Sequence, residues 1–213
     1  QSLAATVSNG YIYISGGING VSAYLSTVYG AKINSDGTIG SWNTLNTLPG
    51  IVASQAMTSY NGYLYVVGGY GAAALSTVYY AQVNGNGTVG TWAATSTLAQ
   101  VIYNPAAVAV SGYLFVTGGN NGAQVSTVYS APIKSDGAIG TWATLNTLPA
   151  TRFSHALVTY NGYLILTGGV SVSTVYSAKL NSDGTIGTWA TLNTLPVVLE
   201  NHGAVVSNGY MFL

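Results

Sequence analysis

Apolar and polar positions in this chain group into short β-rich runs separated by turn signals, and the same order of runs returns four times. In the fourth return the runs are HALVTY, YLILTGG, STVYSAKL and IGTWATL, with Asn161-Gly162 joining the first two and Ser182-Asp183-Gly184 joining the last two. Asn-Gly between β-rich runs is the strongest short hairpin signal, because both residues accept positive φ. Ser-Asp-Gly, or its variant NGNG in the second return, closes the next hairpin by the same turn chemistry. No run carries a 3.6-residue period, which predicts an all-β chain without helices. Runs such as YLYVV and STVYYAQV place bulky apolar groups on both faces, so the sheets they form are covered from both sides. A four-stranded antiparallel meander repeated radially meets that demand, each blade packing against the one before and the one after, and the predicted architecture is a β-propeller.

The repetition is close. Residues 173–196 match residues 26–49 at 20 of 24 positions. The pairs Gly16-Gly17, Gly68-Gly69, Gly118-Gly119 and Gly168-Gly169 recur at spacings of 52, 50 and 50, and Trp42, Trp92, Trp142 and Trp189 at 50, 50 and 47. Tyr29, Tyr79, Tyr129 and Tyr176 each precede their Trp by 13 residues. Self-similarity at such a period defines the blades as 1–49, 50–99, 100–149 and 150–196, one propeller domain in all, and residues 197–213 open a fifth blade that stops within its second strand. Four blades and a surplus hairpin leave unpaired backbone. The expectation is therefore a segment of a larger propeller of five to eight blades, completed by further sequence or by a second copy; a designed or recently duplicated repeat protein is the alternative.

An apolar strand ending in Gly-Gly, a Tyr about ten residues later, a Trp thirteen further on and a closing Leu-Pro, which departs once as Leu98-Ala99, resembles the kelch repeat over essentially the whole chain. The resemblance implies that Gly-Gly ends the second strand of each blade and that the Tyr and Trp pack between blades. It implies no single activity, since kelch propellers range from protein-binding scaffolds to oxidases.

Composition then narrows the function. Charged residues make up 4% of the chain, with four Lys and Arg against four Asp and Glu and a net charge of zero. No basic footprint exists for nucleic acid or acidic lipid. No uncharged apolar run approaches the roughly 18 residues of a membrane span. A surface rich in Ser, Thr, Asn and Tyr predicts an extracellular or cell-surface protein. Cysteine is absent, which removes disulfides, thiolate catalysis and Cys-type zinc sites.

The turns joining strands within the hairpins are nearly uniform from copy to copy, whereas the loops after Gly-Gly (INGVSAYL, YGAAAL, NNGAQV, VSV) and the connections between blades (GIVASQ, QVIYNP, ATRFSH, VVLENH) are not. A binding surface is expected on this variable face. Its aromatic candidates are Tyr24, Tyr70 and Tyr103. Its polar candidates are Arg152, His155, Glu200 and His202, with His155 and His202 each seven residues before a hairpin Gly, where Leu3, Gln55 and Pro105 stand in the other copies. These polar groups read either as a small ligand or metal site or, as Leu-Pro-x-x-Arg-x-x-His is itself similar to the kelch pattern, as ties between blades; the second reading is preferred. Asp36, Asp136 and Asp183 read as turn residues, not calcium ligands, since each loop offers one carboxylate. No metal or cofactor is expected.

Catalysis lacks its parts. A galactose-oxidase type of copper site requires the missing Cys, a sialidase-like site requires an arginine cluster where only Arg152 exists, and no carboxylate pair is formed. The expected function is a non-catalytic binding or adhesion propeller with a protein partner. The alternatives are a glycan-binding lectin, a structural surface or filament protein that self-associates, and an enzyme whose catalytic residues lie outside this sequence.

Overall fold

The computed structural model describes all 213 residues. Eighteen short strands and no helix make up the fold, and the chain divides into two compact units, residues 1–103 with 134–139, and residues 104–133 with 140–213. The repeating sheets are β-propeller-like four-stranded antiparallel meanders.

In the first unit, β1 (Ala4–Ser8), β2 (Tyr11–Ser15), β3 (Val28–Lys32) and β4 (Asn43–Thr44) form one sheet in sequence order, and β5 (Ala56–Tyr60), β6 (Tyr63–Val67), β7 (Val78–Gln82) and β8 (Ala93–Ala94) form the next. In the second unit, β9 (Ala106–Val110), β10 (Tyr113–Thr117), β11 (Val128–Pro132) and β12 (Ala143–Thr144) form a third meander, and β13 (Ala156–Tyr160), β14 (Tyr163–Thr167), β15 (Val175–Lys179) and β16 (Ala190–Thr191) a fourth. A two-stranded hairpin, β17 (Val205–Ser207) and β18 (Tyr210–Phe212), follows. Registers repeat with the sequence: Tyr60 faces Tyr63 across one hairpin turn and Tyr160 faces Tyr163 across another. Asn161 and Gly162, at φ of 46° and 78°, adopt the two positive-φ conformations that a tight two-residue hairpin requires.

The fourth strand of each sheet is shorter than the run IGTWATL suggests. In the first sheet Ile33 bridges Ile39 and Gly30 faces Asn43, so Gly40, Ser41 and Trp42 stand opposite only Ala31 and Lys32. The extra residue is a β-bulge, which breaks the ladder and leaves the Trp outside it.

In the second and fourth sheets the equivalent Trp side chain links the sheet to the preceding one. In the first unit Trp92 packs with Val83 and Val89 against Tyr13, Val28, Leu45 and Leu48 of the first sheet. Its Nε1 donates to the Asn46 carbonyl at 3.0 Å, and Asn46 Nδ2 donates to the Val89 carbonyl at 2.8 Å. The second unit repeats this with Trp189 Nε1 to the Asn146 carbonyl at 3.2 Å, over Phe115, Val128, Leu145 and Leu148. Each aliphatic side chain fully buried in such a layer stabilises by about 1.5–3 kcal/mol. The turn glycines complete the junctions: Gly87 lies under the Tyr11 ring and Gly184 under the Tyr113 ring, where a Cβ would sit 2.2 Å from ring carbon. The Tyr13 hydroxyl donates to the Gly87 carbonyl at 3.1 Å, and burial pushes this phenol's pKa up to about 12.

Candidate functional site: the variable loop face

All eight residues of the Gly-Gly pairs are buried, and the close approach of the next connection explains why. Gly68 has φ of 59°, and a Cβ on it would lie 2.5 Å from the Ile102 carbonyl oxygen. Gly69 N donates to that same carbonyl at 2.8 Å. The pairing recurs as Gly17 N to Val52 O at 2.8 Å, Gly119 N to Arg152 O at 2.6 Å and Gly169 N to Leu199 O at 2.9 Å. Loops and connections of the variable face are thus fastened to one another by backbone bonds that do not depend on which side chains they carry.

Loop side chains add further order. Asn19 Oδ1 accepts from Val21 N at 3.1 Å and from Ala23 N at 2.9 Å, holding the first loop in a closed turn that ends at Tyr24. Tyr70 is held by paired backbone bonds with Ala53, at 2.7 and 2.9 Å.

In the first unit this scaffold brings Tyr24, Tyr70 and Tyr103 into one row. Tyr70 stands in the middle, 6.1 Å from Tyr24 in a tilted pair and 5.6 Å from Tyr103 edge to face. Tyr70 is exposed, while Tyr24 and Tyr103 are half-buried because they pack on it. Edge-to-face and tilted contacts at these separations are the favoured aromatic geometries, worth about 0.5–1.5 kcal/mol per pair beyond burial. The row is therefore rigid before any partner arrives.

The polar candidates fall in the second unit and behave differently. Arg152 and His155 are buried, at 4% and 6% exposure, His202 is half-buried, and Glu200 is exposed. His155 Nε2 meets Thr117 Oγ1 at 2.8 Å and His202 Nε2 meets Thr167 Oγ1 at 2.9 Å. In the first unit Gln55 Nε2, at the same place in the repeat, donates to the Ser15 carbonyl at 2.7 Å and approaches Ser15 Oγ at 3.3 Å. Each of these side chains reaches the residue that precedes a Gly-Gly pair and ties one sheet to the next. The signal in the sequence was the joint occurrence of a hydroxyl before Gly-Gly with Gln or His some forty residues on.

Burial, with the Arg152 charge and His202 adding smaller effects, pushes His155 down to about 3, so the imidazole is neutral at physiological pH. His202 is lowered by partial burial. The Arg152 guanidinium donates to Thr174 Oγ1 and lies 5.0 Å over the Tyr176 ring, a cation–π contact. No group of three or more His, Asp or Glu side chains forms that could hold a metal ion. The turn carboxylates lie away from this face: Asp36 and Asp183 accept from the hydroxyl and backbone N–H of Thr38 and Thr185, which lowers their pKa values, and Asp136 accepts from Ala138 N.

The regularly spaced Tyr and Trp residues do not share one environment. Trp92, Trp189, Tyr129 and Tyr176 are buried, Trp142 packs edge to face on Tyr129, and Tyr79 is half-buried in the first-unit core. Trp42 and Tyr29 are exposed at 47% and 38%.

No protein-family model matches the chain, and no curated protein matches it. Among solved structures the chain is similar to YjhT, with a TM-score of 0.79 and 16% identity over 99% of this chain and 70% of that one. The likeness shows a shared fold. No helix is long and apolar enough to cross a membrane.

Proposed function

We propose that this chain is a non-catalytic, kelch-like β-propeller module that works outside the cell or at its surface and presents its variable loop face to a protein partner. The observation that carries this reading is the row Tyr24–Tyr70–Tyr103, set on loops whose backbones are already bonded in place. Tyrosine suits such a role because it offers a large amphipathic contact with few rotatable bonds, so little conformational entropy is lost on binding. A net charge of zero supports recognition by shape, ring contacts and hydroxyl hydrogen bonds instead of long-range attraction. The fold shared with YjhT and the repeating four-stranded sheets support the propeller, and the motif order supports its kelch-like character.

The test is a binding screen of secreted and cell-surface proteins, run beside a glycan array, with the wild-type chain and the triple variant Tyr24→Ala, Tyr70→Ala, Tyr103→Ala. The expected result is a protein ligand whose affinity falls at least about 30-fold in the variant, the size of a central interface hot spot, while the β-sheet circular dichroism and cooperative unfolding stay. Binding to glycans alone, or a protein ligand indifferent to all three tyrosines, would overturn the proposal.

A further inference from the structure

The hairpins that open successive sheets meet differently in the two units. In the first unit Ser59 Oγ donates to the Val7 carbonyl at 2.8 Å, and Asn9 Nδ2 stands over the next turn, 3.9 Å from a Cβ built on Gly62. In the second unit Thr159 is at the place of Ser59, Ser111 at that of Asn9 and Val110 at that of Ser8. No hydrogen bond runs from the Thr159 hydroxyl to β9, Ser111 has no amide to extend, and nothing lies within 4 Å of a Cβ built on Gly162. The space left between the two hairpins is an open cavity of about 620 Å³. Half-buried Val110 and Leu180 give it an apolar floor, and the Tyr160 ring, 39% exposed, is one wall. Ser111, Thr159, Asn161 and Asn181 bring hydroxyls and amides to its rim. Asn181 Nδ2 donates to Thr185 Oγ1 at 2.9 Å and leaves its Oδ1 as an acceptor. Both sheets that form the cavity have all four strands.

We infer that this cavity is a binding site for a neutral sugar of one or two rings. Its volume falls in the range of about 300–1,000 Å³ usual for small-molecule sites. A sugar presents apolar C–H faces and hydroxyls that both donate and accept, and the cavity answers with an aromatic wall, an aliphatic floor and a rim of groups that do the same. No charged side chain lines it. Asp183, next along the turn, already accepts from the hydroxyl and backbone N–H of Thr185. A phosphate or carboxylate would therefore lose its water here without gaining a partner, which excludes sugar phosphates and acidic sugars. The cavity lies at the turn end of its sheets, whereas the tyrosine row stands on the loop end of sheets in the other unit. The sugar site is thus separate from that row and does not depend on the protein-binding role proposed for it.

The difference between the hairpins supplies the decisive variant. Ser111→Asn gives this turn the residue found at Asn9 and Asn161, and Ser111 already has the φ of 51° that those asparagines adopt, so the fold is kept while the amide enters the cavity. Tyr160→Ala removes the wall. Saturation-transfer NMR on the whole chain, with glucose, galactose, mannose, N-acetylglucosamine and their β-linked dimers as probes, should find binding of at least one neutral sugar. Each variant should weaken it by at least about 10-fold with the β-sheet circular dichroism unchanged. Glucuronic acid and glucose 6-phosphate should not bind, and the triple variant Tyr24→Ala, Tyr70→Ala, Tyr103→Ala should bind the neutral sugar as the wild type does. A wild-type chain that binds none of the neutral probes overturns the inference. So does binding that Ser111→Asn leaves unchanged, or that the three tyrosine substitutions abolish.

Discussion

Ile102 of the first unit and Arg152 of the second stand at one place in the repeat and are both buried, yet one is an aliphatic side chain and the other a cation. Their backbones do the same work. Ile102 N donates to Leu75 O and its carbonyl accepts from Gly69, while Arg152 N donates to Val125 O and its carbonyl accepts from Gly119. What surrounds them differs: the connection through Ile102 leads into Tyr103 and the tyrosine row around the exposed Tyr70, and the connection through Arg152 leads into Phe153 and the buried His155. Variation along this face is thus of two kinds. At buried places it records alternative ways of packing beneath a fixed backbone, and at exposed places it leaves chemistry free to meet a partner.

The fixed backbone is the part whose loss should matter most. Replacing Gly68 by Val, or Gly118 by Val in the other unit, forces a Cβ to within 2.5 Å of a carbonyl oxygen at positive φ. Each is expected to cost more than about 4 kcal/mol, measured by urea unfolding, in the class of severe core and backbone lesions. Equal damage in both units would confirm that the side chain at 102 or 152 is secondary.

Acid should separate the units next. The imidazole of His155 titrates near 6.5 when the chain is unfolded and near 3 when folded. Between those values the unfolded chain binds a proton that the folded chain refuses. Its contribution to stability is therefore complete above about pH 6.5 and is lost as the pH falls towards 3, by on the order of 5 kcal/mol. His155→Gln, which copies Gln55 of the first unit, should flatten the unfolding free energy across that window while keeping the tie to Thr117. A profile unchanged by the substitution would show that other groups govern acid unfolding.

The smallest effect is expected from Arg152→Leu, the residue found at the equivalent position 199. A buried cation held by one hydroxyl and a ring face gives up little when an apolar side chain fills its place, so stability should change by less than about 1.5 kcal/mol in either direction. Arg152→Ala, which leaves a hole, should cost about 2 kcal/mol or more. A large loss in the Leu variant would make the charge itself structural.

Much of this was legible in the sequence for a simple reason: the features that recur are those demanded by backbone geometry. Asn-Gly needs two positive φ values, Gly-Gly needs room for a carbonyl, and both needs are met by few residue types. Trp92 and Trp189, two of the regularly spaced tryptophans, likewise stand where one sheet covers the next. The length of the fourth strand was hidden because IGTWATL reads as a continuous β run, and only the register between Gly30 and Asn43 reveals the bulge that interrupts it. The burial of Arg152 and His155 could not be read from residue type, since ionisable side chains are buried only when partners far along the chain, here Thr174, Tyr176 and Thr117, are in place. The tyrosines were legible singly; their convergence on Tyr70 belongs to the packing.

The sheet junctions also have a mechanical meaning. Within each unit the two repeats of about 50 residues are fastened to one another by the same small set of parts, an indole N–H on a carbonyl, a ring over a turn and an apolar layer beneath. Under tension such a chain is a ladder of like fasteners, and pulling on it should release repeats one at a time. Every release lets out roughly 170 Å of extended backbone, so a force trace would be read as evenly spaced teeth.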